Sequence, residues 1–163
     1  MEGNTSILDC LPCPQGKYCA EEGLTKESGD CQDGFLCPEG SIVPNYPDNQ
    51  CPQNFYCIAG KSYECPPATY TYGTGSTRVE DCIHCDPGKM CAGHTPSEQA
   101  PDCPAGYICP GKVENLTGAS SCPAGHYCPI GSKFALKCPI REYQDEAGKS
   151  TCKLCLALNH CPV

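Results

Sequence analysis

Apolar residues in this chain fall in short runs between cysteines, and no stretch repeats them at helical spacing over a useful length. The most regular apolar position lies just before the second cysteine of a recurring pair: Tyr18, Leu36, Tyr56, Met90, Ile108 and Tyr127. Turn-forming Pro and Gly stand a few residues earlier. The pattern therefore predicts a turn followed by a short extended segment, with the apolar side chain over its own or a neighbouring disulfide. Two-stranded ribbons are expected near residues 68–72 and 142–144, and residues 154–158 suit one short turn. Residues 20–30, 40–50, 92–102 and 111–121 are polar or mixed and read as loops.

The cysteine spacing turns this local pattern into a repeat. Cys, five residues, Cys recurs seven times: Cys13/Cys19, Cys31/Cys37, Cys51/Cys57, Cys85/Cys91, Cys103/Cys109, Cys122/Cys128 and Cys155/Cys161. Well-formed copies read CPQGKYC, CPAGYIC and CPAGHYC. Gly stands three residues after the first Cys at Gly16, Gly34, Gly88, Gly106 and Gly125. Asn54 replaces it once, and Asn tolerates a left-handed backbone better than most residues. Leu158 breaks the rule in the last copy.

A longer period lies above the short one. The CxxC pairs Cys10/Cys13, Cys82/Cys85 and Cys152/Cys155 open equivalent units, spaced 72 and 70 residues apart. Each complete unit ends on a lone cysteine, Cys65 or Cys138. Cys65 to Tyr70 aligns with Cys138 to Tyr143, and Gly75 with Gly148. The chain divides on this reading into a flank (1–9), a first unit (10–81), a second unit (82–151) and the start of a third (152–163).

Parity suggests a disulfide map but does not fix it. In a local map each C-x5-C closes on itself, Cys65 pairs with Cys82 and Cys138 with Cys152, and Cys10 alone lacks a partner within the chain. An interleaved map, with Cys85 to Cys103 and Cys91 to Cys109, closes longer loops.

Composition supports covalent stapling. Of 163 residues, 19 are Cys, 17 Gly and 17 Pro, while Phe numbers 3 and Trp 0, too few large apolar groups for a shared core. Such density belongs to exported chains. The formal charge of -8 is spread along the sequence, which disfavours nucleic acid as a partner. No run is long and apolar enough to span a membrane. The opening residues lack a signal peptide's basic and apolar parts, so a fragment or processed piece is expected.

Candidate chemistry is sparse. A zinc site would need two CxxC or CxxH hooks close together, whereas these hooks are about 70 residues apart. His84, His94, His126 and His160 share no repeat position. Glu21/Glu22 and Asp145/Glu146 are adjacent and read as a solvated face rather than a general acid/base pair. No nucleophile and base, phosphate loop or calcium loop is visible, so neither an enzyme nor a cofactor is expected. Sequons at Asn4 and Asn115 are candidate N-glycan sites.

The stretches Cys65 to Cys91 and Cys138 to Cys161, with lead-ins such as CPAGYICPGK, resemble the ephrin-receptor-like (GCC2/GCC3) cysteine-rich repeat. Cys65, Tyr70, Gly75, Cys82, Cys85, Gly88 and Cys91 match the scaffold positions of one copy. Cys138, Tyr143, Gly148, Cys152, Cys155 and Cys161 match those of the next, where Asn159 and its neighbours depart from Pro-x-Gly. The resemblance implies a small disulfide-rich fold of elongated tandem cysteine-rich repeats, with short beta ribbons and little helix. It also implies an extracellular or cell-surface setting, as in giant surface or ciliary proteins of protists and algae. The expected role is a non-catalytic structural or adhesive segment, with protein partners through self-association in a filament or other surface proteins. The alternative is a ligand-binding receptor ectodomain. Tyr46, Tyr63, Tyr70, Tyr72 and Tyr143 are the aromatics expected to be available for lateral contacts.

Overall fold

The computed structural model describes residues 11–155. It is a small, mostly beta, disulfide-rich structure with almost no helix. Among the described residues there are six two-stranded antiparallel ribbons. Their strands are β1 (Lys17–Tyr18), β2 (Gly29–Asp30), β3 (Phe55–Ile58), β4 (Lys61–Glu64), β5 (Thr69–Tyr70), β6 (Ile83–His84), β7 (Tyr107–Ile108), β8 (Ser120–Ser121), β9 (His126–Tyr127), β10 (Leu136–Lys137), β11 (Glu142–Tyr143) and β12 (Lys153–Leu154). Each odd-numbered strand pairs with the strand that follows it. Single bridges, Phe35 to Gln50 and Lys89 to Asp102, stand in for a ribbon in two further copies. The ribbons expected near residues 68–72 and 142–144 are β5–β6 and β11–β12. Leu154 lies in a strand rather than a helical turn, and residues 156–158 lie outside the described range.

One turn generates every copy among the described residues. The carbonyl of the residue after the first cysteine accepts a hydrogen bond from the amide three residues on, as in Lys17 N to Pro14 O and Tyr107 N to Pro104 O, both 3.1 Å. The third residue of this turn has positive φ, which defines type II geometry. Gly supplies it in most copies and Asn54 (φ 69°) in one. The same turn also follows the two lone cysteines, where Ala68 (φ 57°) and Arg141 (φ 72°) take the left-handed position. Thr69 N bonds to Pro66 O and Glu142 N to Pro139 O. Cys65 and Cys138 therefore begin modules of the ordinary kind. What differs is the place of the second cysteine, held by Thr71 and Gln144.

Those two polar side chains are buried and satisfied. Thr71 Oγ1 accepts the Asn54 amide at 2.7 Å, and the Thr71 amide returns a bond to Asn54 Oδ1. Gln144 Nε2 donates to Thr151 O at 2.7 Å while its Oε1 accepts the Glu146 amide. A buried amide or hydroxyl without such partners would cost about 1–3 kcal/mol.

Arg141 is exposed and carries a side chain where the backbone favours none. Left-handed geometry costs a non-glycine residue about 1–2 kcal/mol, and glycine returns about 0.5–1 of this in lost entropy. Arg141→Gly is therefore expected to raise stability by about 0.5–1 kcal/mol, read as a higher denaturant midpoint; a lower midpoint would refute the turn assignment.

Successive modules are stitched by backbone hydrogen bonds. The first-cysteine amide of one copy donates to the left-handed residue's carbonyl of the copy before: Cys31 to Gly16, Cys51 to Gly34, Cys103 to Gly88 and Cys122 to Gly106. The left-handed residue's own amide donates forward, as in Gly88 to Cys109 O and Gly106 to Cys128 O, both 2.8 Å. Copies two apart also touch. A Cβ built on Gly34 would lie 2.6 Å from Gly75 O, and one on Gly106 would lie 2.3 Å from Gly148 O. Contacts thus reach beyond nearest neighbours.

Two compact units result. One comprises residues 11–65 with Thr71–Cys82; the other comprises Pro66–Tyr70 with residues 83–155. Their interiors are mainly cystine. In the second, Ala68, Cys85, Cys91 and Ala100 form one cluster; Cys103, Cys109 and Val113 form another, against which Met90 packs. Met90 thus covers a neighbouring disulfide, as the pattern before each second cysteine suggests.

Candidate functional site

The cysteines are the dominant chemical feature. The structure joins Cys13 to Cys19, Cys31 to Cys37, Cys51 to Cys57, Cys85 to Cys91, Cys103 to Cys109 and Cys122 to Cys128. It also joins Cys65 to Cys82 and Cys138 to Cys152. Each Cα separation lies within 5.6–5.9 Å, the span that a disulfide bridges without backbone movement. Cys155 is disulfide-bonded as well. Cys10 and Cys161 lie outside the described residues.

This pairing bears on the CxxC motifs. A redox CxxC needs its two sulfurs to bond each other. Here Cys82 is bonded to Cys65 and Cys85 to Cys91, so the two sulfurs of Cys-Ile-His-Cys belong to separate bridges. Cys152 is likewise committed to Cys138. The tight type II turn explains why: it returns the chain so that cysteines six residues apart meet, and the two of a CxxC face different modules.

No group of three or more His, Cys, Asp or Glu residues among those described could hold a metal ion. His84 lies in β6 and His126 in β9. His94 Nδ1 sits 2.7 Å from Thr69 O, tying the loop after Cys91 to the neighbouring ribbon. His160 lies outside the described residues.

Glu21 and Glu22 are exposed, and Asp145 and Glu146 are engaged in surface pairing. Asp145 hydrogen-bonds to Lys153, which holds its carboxyl below the usual carboxylate range; the bond from Lys149 does the same for Glu146. Both are thus favoured as anions, and neither is poised as a proton donor. Lys17 pairs with Asp30, and Lys89 with Asp102 at 2.9 Å. Both pairs occupy the same cross-strand register in equivalent modules. These are exposed pairs, and exposed pairs contribute little to stability.

Asp81 has a more local role. Its Oδ2 accepts the amides of Thr77 and Arg78, and its Oδ1 accepts Arg78 Nε. The Thr77 amide is the main cause that holds its carboxyl below the usual carboxylate range. A depressed carboxylate stabilises the fold above its unfolded pKa, and that contribution is lost as pH falls through the lower folded value. Asp81→Asn is expected to flatten the acid limb of the stability-pH curve below about pH 4. An unchanged limb in an acid-unfolding titration would show the turn bonds to be energetically silent.

Sequon residue Asn115 is exposed on the loop between β7 and β8. Its Oδ1 accepts both the amide (3.0 Å) and the hydroxyl of Thr117. Asn4 lies outside the described residues. Of the aromatics expected at the surface, Tyr46, Tyr63 and Tyr72 are exposed and Tyr143 is half-buried. Tyr70 is not available: it is 1% exposed, and its hydroxyl donates to Ser97 Oγ at 3.3 Å. The first unit also carries an open depression of about 820 Å³, whose lining includes Lys17, Asp30, Leu36, Ile58, Lys61 and Tyr63.

No protein-family model matches the chain. Over 116 residues, 71% of its length, the chain is 28% identical to "Cysteine repeat modular protein A" of Toxoplasma gondii. It spans about 3% of that protein. Repeated type II turns, local bridges and this partial likeness together make the chain a cysteine-rich repeat protein of disulfide-bonded modules.

Proposed function

We propose that the chain is a non-catalytic structural or adhesive segment of an extracellular or cell-surface protein, built from ephrin-receptor-like (GCC2/GCC3) repeats. The supporting observation is the use of its cysteines. Every cysteine among the described residues is in a bridge, and the CxxC pairs are divided between bridges. Bridges at this density persist in oxidising compartments. The modules spend their polar groups on holding turns together, a scaffold's use of chemistry. Partners are then proteins, either copies of the same chain in a filament or other surface proteins, and N-glycans are attached.

Production of the chain through a secretory pathway tests this. Thiol titration in denaturant without reductant is expected to find almost no free thiol beyond Cys10. Many free thiols would overturn the reading. The exposed Asn115 turn is expected to carry a glycan. Asn115→Gln should then remove a glycosidase-sensitive mobility shift, and an unchanged shift would remove Asn115 from the surface chemistry.

The second reading is the ligand-binding ectodomain of a receptor, in which the open depression of the first unit would be one contact surface. A membrane span and signalling domain in the flanking sequence would select it. A very long run of the same repeats would select the structural one.

A further inference from the structure

The β3–β4 hairpin differs from the other ribbons among the described residues. Its strands are four residues long where the others are two. Bridges flank it: Cys57 within β3 is bonded to Cys51, and Cys65, next after β4, is bonded to Cys82. Tyr56 and Tyr63 are directly opposite in its register. Their rings stack with centroids 5.3 Å apart and planes 19° apart. Tyr63 is 43% exposed and borders the open depression, and Tyr56 is half-buried beside it.

We infer that Tyr56 and Tyr63 form a site of oxidative tyrosine coupling, a covalent rivet across the hairpin that is independent of the disulfides. Offset stacking at this distance is an attractive arrangement in its own right, so the rings remain in contact. The four-residue ladder holds the strands in this register, and the bridges tie the chain on either side of the hairpin to its own flanks. Reacting groups held in this way react as though at very high concentration, which favours coupling within the hairpin over coupling between molecules. The exposed Tyr63 phenol offers an entry point to a one-electron oxidant. Tyr70 contrasts with it, because its buried phenol gives an oxidant no access.

The oxidant is a haem peroxidase with hydrogen peroxide. Each phenol gives up one electron and its hydroxyl proton. The two phenoxyl radicals join through ring carbons ortho to the oxygens, forming one carbon–carbon bond. The ring hydrogens at those carbons then move through solvent to restore both hydroxyls. In total the pair loses two electrons and two protons, and peroxide takes them up to become water. The inference does not depend on a structural role for the whole chain, since it needs only the hairpin and this class of oxidant.

The test treats the disulfide-intact chain, at low concentration, with peroxidase and hydrogen peroxide. The expected result is blue dityrosine fluorescence in protein that still runs as a monomer, with a mass lower by two hydrogens per link. Lys61 lies between the two tyrosines. Trypsin after reduction and alkylation should therefore yield peptides 27–61 and 62–78 joined, and their fragmentation should place the link at Tyr56 and Tyr63. Tyr63→Phe and Tyr56→Phe are each expected to lose the monomer signal, while Tyr46→Phe keeps it. If a phenylalanine variant disturbs the hairpin, fragmentation of the joined peptides 27–61 and 62–78 from the unaltered chain still decides, because it separates Tyr56 from Tyr46 and Tyr63 from Tyr70 and Tyr72. Links that map to other tyrosines, links found only in dimers, or monomer signal retained in Tyr63→Phe would each overturn the inference.

Discussion

Reduction of the bridges is expected to unfold the described residues outright, with loss of the near-ultraviolet tyrosine signal and of protease resistance. The physical reason is the composition of the interior. The second unit's clusters consist of cystine sulfur, two alanines and one valine, with a few half-buried neighbours. Apolar burial yields about 25 cal/mol per Å², and side chains this small supply little of it. Closing a C-x5-C loop contributes about 2 kcal/mol, and the longer Cys65–Cys82 loop about 3, in a chain-entropy account. A domain's net stability is only about 5–15 kcal/mol, so losing all the bridges removes more than the fold can spare. Among single bridges, replacing Cys65 and Cys82 together by Ala should cost the most. It opens the longest loop and frees residues 66–81, including the buried Tyr70 ring. Retention of the Tyr70 environment in fully reduced protein, read by near-ultraviolet dichroism, would refute this account.

Gly106→Ala and Gly125→Ala are expected to differ by more than their identical turns suggest. Both glycines stand at the third position of a type II turn, with φ 86° and 81°. An alanine at either should cost about 1–2 kcal/mol for the left-handed backbone. The surroundings then separate them. A Cβ on Gly106 would lie 2.3 Å from the carbonyl oxygen of Gly148 and 2.9 Å from its carbon, too close to be tolerated. The Gly148 turn would have to move, and its amide bond to Cys122 O (2.7 Å) would move with it. A Cβ on Gly125 meets nothing within 4 Å. Gly106→Ala should therefore cost about 3 kcal/mol or more, adding the strain of overpacking, against about 1–2 for Gly125→Ala. Denaturant unfolding of the disulfide-intact variants measures both. Equal losses would mean that the contact between modules two apart carries no energy.

Much of the small-scale structure was legible in the cysteine spacing. Pro-x-Gly between cysteines predicts a tight turn, and Asn54 marks a left-handed position because few other residues accept one. The ribbons at residues 68–72 and 142–144 were legible for the same reason. The turns at Ala68 and Arg141 were not, because propensity alone assigns neither residue positive φ. Thr71 and Gln144 were hidden too: nothing in a lone polar residue marks it as occupying a cysteine's place until the backbone superposes the modules. The candidate rivet was invisible for a similar reason. Tyr56 and Tyr63 stand seven residues apart in sequence, and only the hairpin register makes them partners.

The sequence by itself determined the C-x5-C module: one bridge, one turn, one short ribbon, repeated at cysteine-set intervals. It could do so because a turn and a six-residue loop are local, and local geometry depends on neighbouring residue types. Tertiary structure alone decided how modules pack. The hydrogen bonds from each left-handed residue to the modules beside it, and the backbone contact between Gly106 and Gly148, join residues far apart in the chain. Such contacts are made by peptide groups, which every residue carries alike, so no side-chain pattern announces them.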